Sequence, residues 1–131
     1  MVRGEIEELV KKAEGELNKA YAPYSGYSVA VALLCKDGSL YTGVNVENAS
    51  YGLTICAERV AIFKAVSEGK REFVAIAIVS NDPERPPYPC GACRQVMAEF
   101  SKDMIVAVKT KKGIVTHRLD ELLPYSFNFE K

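Results

Sequence analysis

The chain has 131 residues, enough for one domain with a core of its own, and 48% of them are hydrophobic against 26% charged. Seventeen Lys and Arg balance seventeen Asp and Glu, so the zero formal net charge weighs against a nucleic-acid binder, which carries a basic excess. No stretch approaches the ~20 apolar residues of a membrane span, and the N-terminal MVRGEIEELVKKAEGEL lacks the apolar run of a secretion signal, so the expected setting is a reducing cytoplasm without membrane contact.

In chain order, Ile6, Leu9, Val10, Ala13 and Leu17 recur at helical spacing and predict a helix that stops before the turn-rich Ala22-Pro23-Tyr24-Ser25-Gly26. Val29 to Cys35 is a short apolar run that reads as a strand entering a hairpin at Asp37-Gly38, with Leu40 to Val46 returning. A second helix is expected over Cys56 to Ser67, ended by Gly69. Phe73 to Val79 is apolar on both faces, which places it centrally in a sheet. Four prolines then mark a loop, followed by a helix from Gly91 to Phe100 and a strand from Met104 to Val108. A short strand from Ile114 to His117 and a short helix from Leu119 to Leu123, stopped by Pro124, complete the order α-β-β-α-β-α-β-β-α. Strands alternating with helices after an antiparallel hairpin predict an α/β fold: a three-layer α-β-α sandwich with a mixed five-stranded sheet, residues 1–131 forming a single domain.

In a reducing compartment the four cysteines read as metal ligands or catalysts rather than disulfides. Three of them sit where helices begin: Cys56 at the second helix, Cys90 and Cys93 at the third. Helix N-termini favour thiolate, the form that binds metal. Three protein ligands with a fourth position open is the pattern of a catalytic zinc site. Glu58 follows Cys56 by two residues and is suited to moving protons at a metal-activated water. Zinc with three thiolates is net negative, so a nearby cation is expected, and Arg59 could supply it by donating to a ligand sulfur. A structural zinc knot or a Cys90-x-x-Cys93 redox pair remains as an alternative reading of these cysteines. Cys35 reads as a buried small hydrophobe. His117, the one histidine, reads as solvated or capping, and Arg94 and the lysine pairs as surface charge. Without further context Tyr27, Tyr51 and Phe127 read as core or interface aromatics.

The runs Ala22-Pro23-Tyr24-Ser25, Gly43-Val44-Asn45-Val46-Glu47-Asn48-Ala49-Ser50-Tyr51-Gly52, Cys56-Ala57-Glu58-Arg59 and Pro89-Cys90-Gly91-Ala92-Cys93-Arg94-Gln95-Val96, with Glu121-Leu122-Leu123-Pro124 behind them, resemble the small homotetrameric cytidine deaminases. The resemblance spans about residues 22 to 127. It implies hydrolytic deamination of cytidine and deoxycytidine with one zinc ion per chain, Cys56, Cys90 and Cys93 as ligands and Glu58 as proton shuttle. It implies Asn45 and Glu47 as ribose readers, the Ala57 backbone at the pyrimidine edge, and Tyr27 where the family usually has a Phe against the substrate ring. It further implies that Ala49, Tyr51 and Phe127 enter a neighbouring subunit's site in a homotetramer. A blasticidin S-type deaminase shares the cysteine runs, and a non-catalytic zinc-stabilised interaction module would share the ligands but has no use for Glu58. Arg59 and the Asn45-x-Glu47-Asn48 run favour the nucleoside enzyme, and the balanced charge disfavours a polynucleotide deaminase.

Overall fold

A computed structural model describes residues 1–129, so the last two positions of the single-domain assignment lie outside the described residues. Its strands are β1 (Val29–Cys35), β2 (Leu40–Val44), β3 (Phe73–Ser80), β4 (Ile105–Thr110) and β5 (Gly113–Arg118), its helices α1 (Arg3–Glu14), α2 (Ala57–Ser67), α3 (Gly91–Phe100) and α4 (Leu119–Leu122). They form one five-stranded sheet in the order β2-β1-β3-β4-β5. β1 runs antiparallel to both β2 and β3, β3 runs parallel to β4, and β4 antiparallel to β5. The parallel pair needs a crossover, which α3 supplies. The expected mixed sheet and the central place of β3 are therefore found.

Side chains alternate across the sheet with period two, and here the alternation is largely by size, buried Val79 being an exception on the smaller side. Ala30, Ala32, Ala75, Ala77 and Ala107 face one side and pack beneath Ile6, Leu9, Val10 and Ala13 of α1. Val31, Leu33, Ile76, Ile78, Val106 and Val108 face the other and pack with α2 and α3. Helices on both faces complete the three layers. Cys35 is 2% exposed within the second cluster, as its strand position led one to expect.

Gly43 of β2 decides how closely α2 can approach. A Cβ built there would lie 2.4 Å from the Ala57 carbonyl oxygen and 2.7 Å from the Ala61 nitrogen. Both are backbone atoms and cannot swing aside. The small Ala57 and Ala61, both fully buried, meet the glycine from the helix side. This contact sets the height of the first turn of α2 above the sheet.

β1 and α3 occupy the spans expected of them. α1 stops earlier: the Glu16 N–H donates to the Ala13 carbonyl at 2.9 Å, tightening the chain, and Leu17 falls in a separate turn of 3-10 helix, Leu17–Lys19. β2 ends at Val44 rather than Val46: the Asn45 N–H still donates to the Val29 carbonyl at 3.2 Å, but the Val29 N–H donates to the Asn45 side-chain oxygen at 2.9 Å, and the Asn45 carbonyl accepts from the Tyr21 N–H instead. Val46 instead bridges Ile55 and Tyr21. A 3-10 turn, Tyr51–Leu53, was not foreseen.

Two surface readings are corrected. Arg94 is half-buried, its Nε donating to the Pro89 carbonyl at 2.7 Å and its Nη1 to the Leu122 carbonyl at 2.6 Å, so it ties the start of α3 to α4. His117 neither caps nor faces solvent alone; its Nε2 lies 3.2 Å from the Tyr88 hydroxyl, with the rings 5.5 Å apart. Both contacts join segments nearly thirty residues apart, beyond the reach of local pattern. No helix among the described residues is long and apolar enough to cross a membrane.

Candidate active site

The C-terminal end of β3 turns into the loop that leads to α3. Val29, at the start of β1, pairs with Ser80 at that end. The N-termini of α2 and α3 meet here, at the sheet edge where α/β folds bind ligands. Cys56 is the residue capping α2, and Cys90 caps α3. Both hold extended backbone just before the first helical turn, so their side chains stand among unpaired helix N–H groups. Cys90 Sγ accepts from the Cys93 N–H at 3.5 Å, taking the place of the usual oxygen cap.

The Sγ atoms of Cys56, Cys90 and Cys93 all lie within 4.8 Å of one another, Cys56 and Cys90 at 3.9 Å. Cys93 is buried, Cys56 half-buried and Cys90 exposed, so the cluster opens on one side. Hydrogen bonding with the Cys93 thiol, helped by the Arg59 guanidinium, holds the Cys56 thiol well below its ordinary range. The same bond to Cys56, with burial, pushes the Cys93 thiol up. Arg59 Nη2 donates to Cys56 Sγ at 3.4 Å, and its Nε is buried with no partner among the described residues. A guanidinium with a spare buried donor beside three sulfurs suits a centre that carries net negative charge. Three soft sulfur donors, one already inclined to ionise, fit a zinc ion.

Glu58 is 4% exposed, on the first turn of α2. Burial pushes its carboxyl up to about 7, so near neutral pH it can both hold and release a proton. It borders a cavity of about 330 Å³ lined also by Cys56, Cys90, Ala57, Asn45, Tyr27 and the Arg85–Tyr88 segment. Larger depressions lie elsewhere, as at Cys35 to Glu72, but they hold neither the sulfur cluster nor a buried acid.

The structure thus brings Cys56, Ala57, Glu58, Cys90, Asn45 and Tyr27 to one cavity, with Cys93 and Arg59 in contact beneath it. Asn45 is 8% exposed; its Oδ1 accepts from Val29 N–H and its Nδ2 donates to the Tyr27 carbonyl at 2.8 Å. A carboxamide has two donors and two lone pairs on oxygen, so one of each stays available to a ligand. Glu47 does not line the cavity. Its carboxylate accepts from the Tyr24 and Ser25 N–H groups at 3.0 and 3.1 Å and from the Ser25 hydroxyl, which holds it below the usual carboxylate range and keeps it ionised. Ala49, Tyr51 and Phe127 stand away from this cavity, Tyr51 at 76% and Phe127 at 71% exposed. Sequence reading missed the wall formed by Arg85, Pro86, Pro87 and Tyr88; the four prolines marked a loop but not its face. It also missed Gly43, although a glycine inside a strand signals a close backbone approach.

A metal centre with one side open and a proton carrier at its edge is the layout of a metal-assisted hydrolase. The chain matches the model of the cytidine and deoxycytidylate deaminase zinc-binding region over residues 3–109. It is 53% identical over 124 residues to a cytidine deaminase of Halalkalibacterium halodurans, covering 93% of each chain. The crystal structure of a cytidine deaminase from Burkholderia pseudomallei superposes with a TM-score of 0.87 at 44% identity, over 97% of this chain and 100% of that one. A blasticidin-S deaminase of Bacillus cereus is 29% identical over 132 residues, covering 92% of this chain and 90% of the relative. The chain belongs to the zinc-binding cytidine and deoxycytidylate deaminase family.

The Arg59 contact makes a test. Arg59→Ala should lower kcat/KM by about ten- to hundredfold, the range for lost partners of metal ligands, and displace the pH–rate profile. An unchanged rate and profile would remove Arg59 from the chemistry.

Proposed function

We propose that the chain hydrolyses free cytidine and deoxycytidine to uridine and deoxyuridine, releasing ammonia. Water adds its oxygen to C4 of the base, the C4–N4 bond breaks, and the two protons of water end on the base and the leaving amine. The observation that carries this reading is the Glu58 carboxyl, buried at the rim of the three-sulfur cluster and inside the same cavity. A structural metal site has no use for an acid there, which argues against a non-catalytic interaction module.

Cys56, Cys90 and Cys93 would hold zinc, one ion per chain, and zinc bound there supplies Lewis-acid activation of water. Glu58 takes a proton as its carboxylate and returns it as its carboxylic acid, which a carboxyl titrating near 7 does at neutral pH. Arg59 offsets the negative charge of the sulfur cluster through its bond to Cys56 Sγ. Asn45 offers its remaining donor and acceptor to a ribose hydroxyl, and Glu47, two residues further along the segment after β2, an ionised acceptor. The Ala57 backbone and the Tyr27 ring border the place of the pyrimidine. Ala49, Tyr51 and Phe127, exposed on the single chain, reach the site of a neighbouring copy in a homotetramer. Residues 1–131 act as a single catalytic domain, in the cytoplasm, on a small molecule and not on nucleic acid.

Zinc-replete protein should deplete the ultraviolet absorbance of cytidine and deoxycytidine and leave blasticidin S much slower, with metal analysis giving about one zinc per chain. Turnover of blasticidin S alone would move the chain to the antibiotic type. No loss of cytidine absorbance with zinc bound would defeat the proposal.

A further inference from the structure

The segment from Asn81 to Pro89 walls the cavity without regular secondary structure, and its prolines withhold N–H groups that could otherwise anchor it. Its position depends on side chains. The Asp82 carboxylate accepts from the Glu84 N–H at 3.0 Å and from Arg85 Nε at 2.8 Å, which folds the loop on itself. Asn81 accepts from the Ser28 N–H and donates to the Gly26 carbonyl, fixing the loop's first residue. His117 meets Tyr88 and Arg94 meets the Pro89 carbonyl, fixing its end. Lys111 Nζ donates to the Glu84 carboxylate at 2.9 Å, and the Arg85 carbonyl accepts a long bond from the Ser80 hydroxyl at 3.5 Å and a short one from Tyr27. The Tyr27 hydroxyl donates to that carbonyl at 2.7 Å, and the Arg85 guanidinium lies 4.6 Å from the centroid of the Tyr27 ring. Tyr27 and Arg85 both line the cavity, so this contact joins two parts of the lining to each other.

We infer that Tyr27 is a positioning residue: its hydroxyl fastens the Asp82–Tyr88 loop, and so fixes the width of the pocket between the Tyr27 ring and the Pro86-Pro87-Tyr88 wall. A phenylalanine at this position supplies the ring but has no hydroxyl to donate. The tether itself is independent of the substrate; its effect on binding rests on the nucleoside reading proposed above.

Zinc-loaded Tyr27→Phe and Arg85→Ala are compared with the parent by hydrogen exchange and by steady-state kinetics with cytidine. In Tyr27→Phe, exchange at the Glu84, Arg85 and Tyr88 amides should rise about three- to tenfold, the factor expected for one lost hydrogen bond. KM should rise by a similar factor while kcat stays within about twofold, since the hydroxyl touches the wall and not the reacting atoms. Arg85→Ala keeps the backbone carbonyl and should change both readouts less. Faster exchange in a protein that fails to turn over cytidine would uphold the tether and sink only the nucleoside reading. Unchanged exchange in Tyr27→Phe overturns the inference. So does a fall in kcat at constant KM, or an Arg85→Ala effect larger than that of Tyr27→Phe.

Discussion

Glu58→Gln should reduce kcat by about 10²- to 10⁴-fold while leaving zinc content and fold intact. Glutamine keeps the shape and one hydrogen-bonding oxygen of the buried side chain but cannot cycle a proton. A second readout separates this from misfolding. In the zinc-free protein the Glu58 carboxyl titrates near 7, against an ordinary value of 4.5, because burial disfavours its charge. Between those values the folded chain binds more protons than the unfolded chain, so stability falls as pH rises from about 4.5 to about 7 and is flat above. The shift corresponds to roughly 3 kcal/mol at most. Glu58→Gln removes that penalty, so the zinc-free variant should melt higher than the zinc-free parent at pH 8 and about equally at pH 4. A variant that loses activity and also melts lower at pH 8 would point to damage rather than to a missing proton carrier.

The second large effect falls outside the cavity. Gly43→Ala should destabilise the protein by about 3 kcal/mol, the upper range for overpacking, and lower Tm by roughly 10 °C. The new methyl would meet the Ala57 carbonyl oxygen and the Ala61 nitrogen, both on a helix that cannot yield locally. Relief requires α2 to lift from β2. Its first turn carries Glu58, and Cys56 caps it, so the displacement reaches the chemistry. Zinc affinity and kcat should fall together with Tm. Thermal melts and metal titration of purified Gly43→Ala check this; a variant melting within about 2 °C of the parent would mean that the helix accommodates the methyl cheaply.

Much of this architecture was legible from local pattern. β1 and α3 fell where expected because each is an apolar or periodic run bounded by turn residues on the chain itself. β3 proved central because its apolar run needs cover on both faces. The helix-start cysteines converge because β2 and β3, both antiparallel to β1, run the same way, so α2 and α3, which follow them, begin at one edge of the sheet. What escaped were pairings set by packing between distant segments. Nothing near Arg94 announces the Leu122 carbonyl, and nothing near His117 announces Tyr88. Val46 leaves the β2 ladder because the Asn45 carbonyl turns to the Tyr21 N–H and its side chain takes the Val29 N–H, a switch no local pattern announces. The Pro-rich loop is met at Arg85 by Tyr27, 58 residues earlier, and no periodicity encodes that contact.

The alternation of alanine against larger aliphatic residues gives the sheet two unequal sides. The alanine side belongs to α1, and none of its residues touches the sulfur cluster, Glu58 or the cavity. The larger residues lie under α2 and α3, whose N-termini frame the cavity. The surface under α2 and α3 therefore carries both the larger core and the chemistry, whereas the surface under α1 carries packing alone. Successive residues of one β-strand answer to different demands, and sequence drift beneath α1 can tune how long the protein survives without altering what it does.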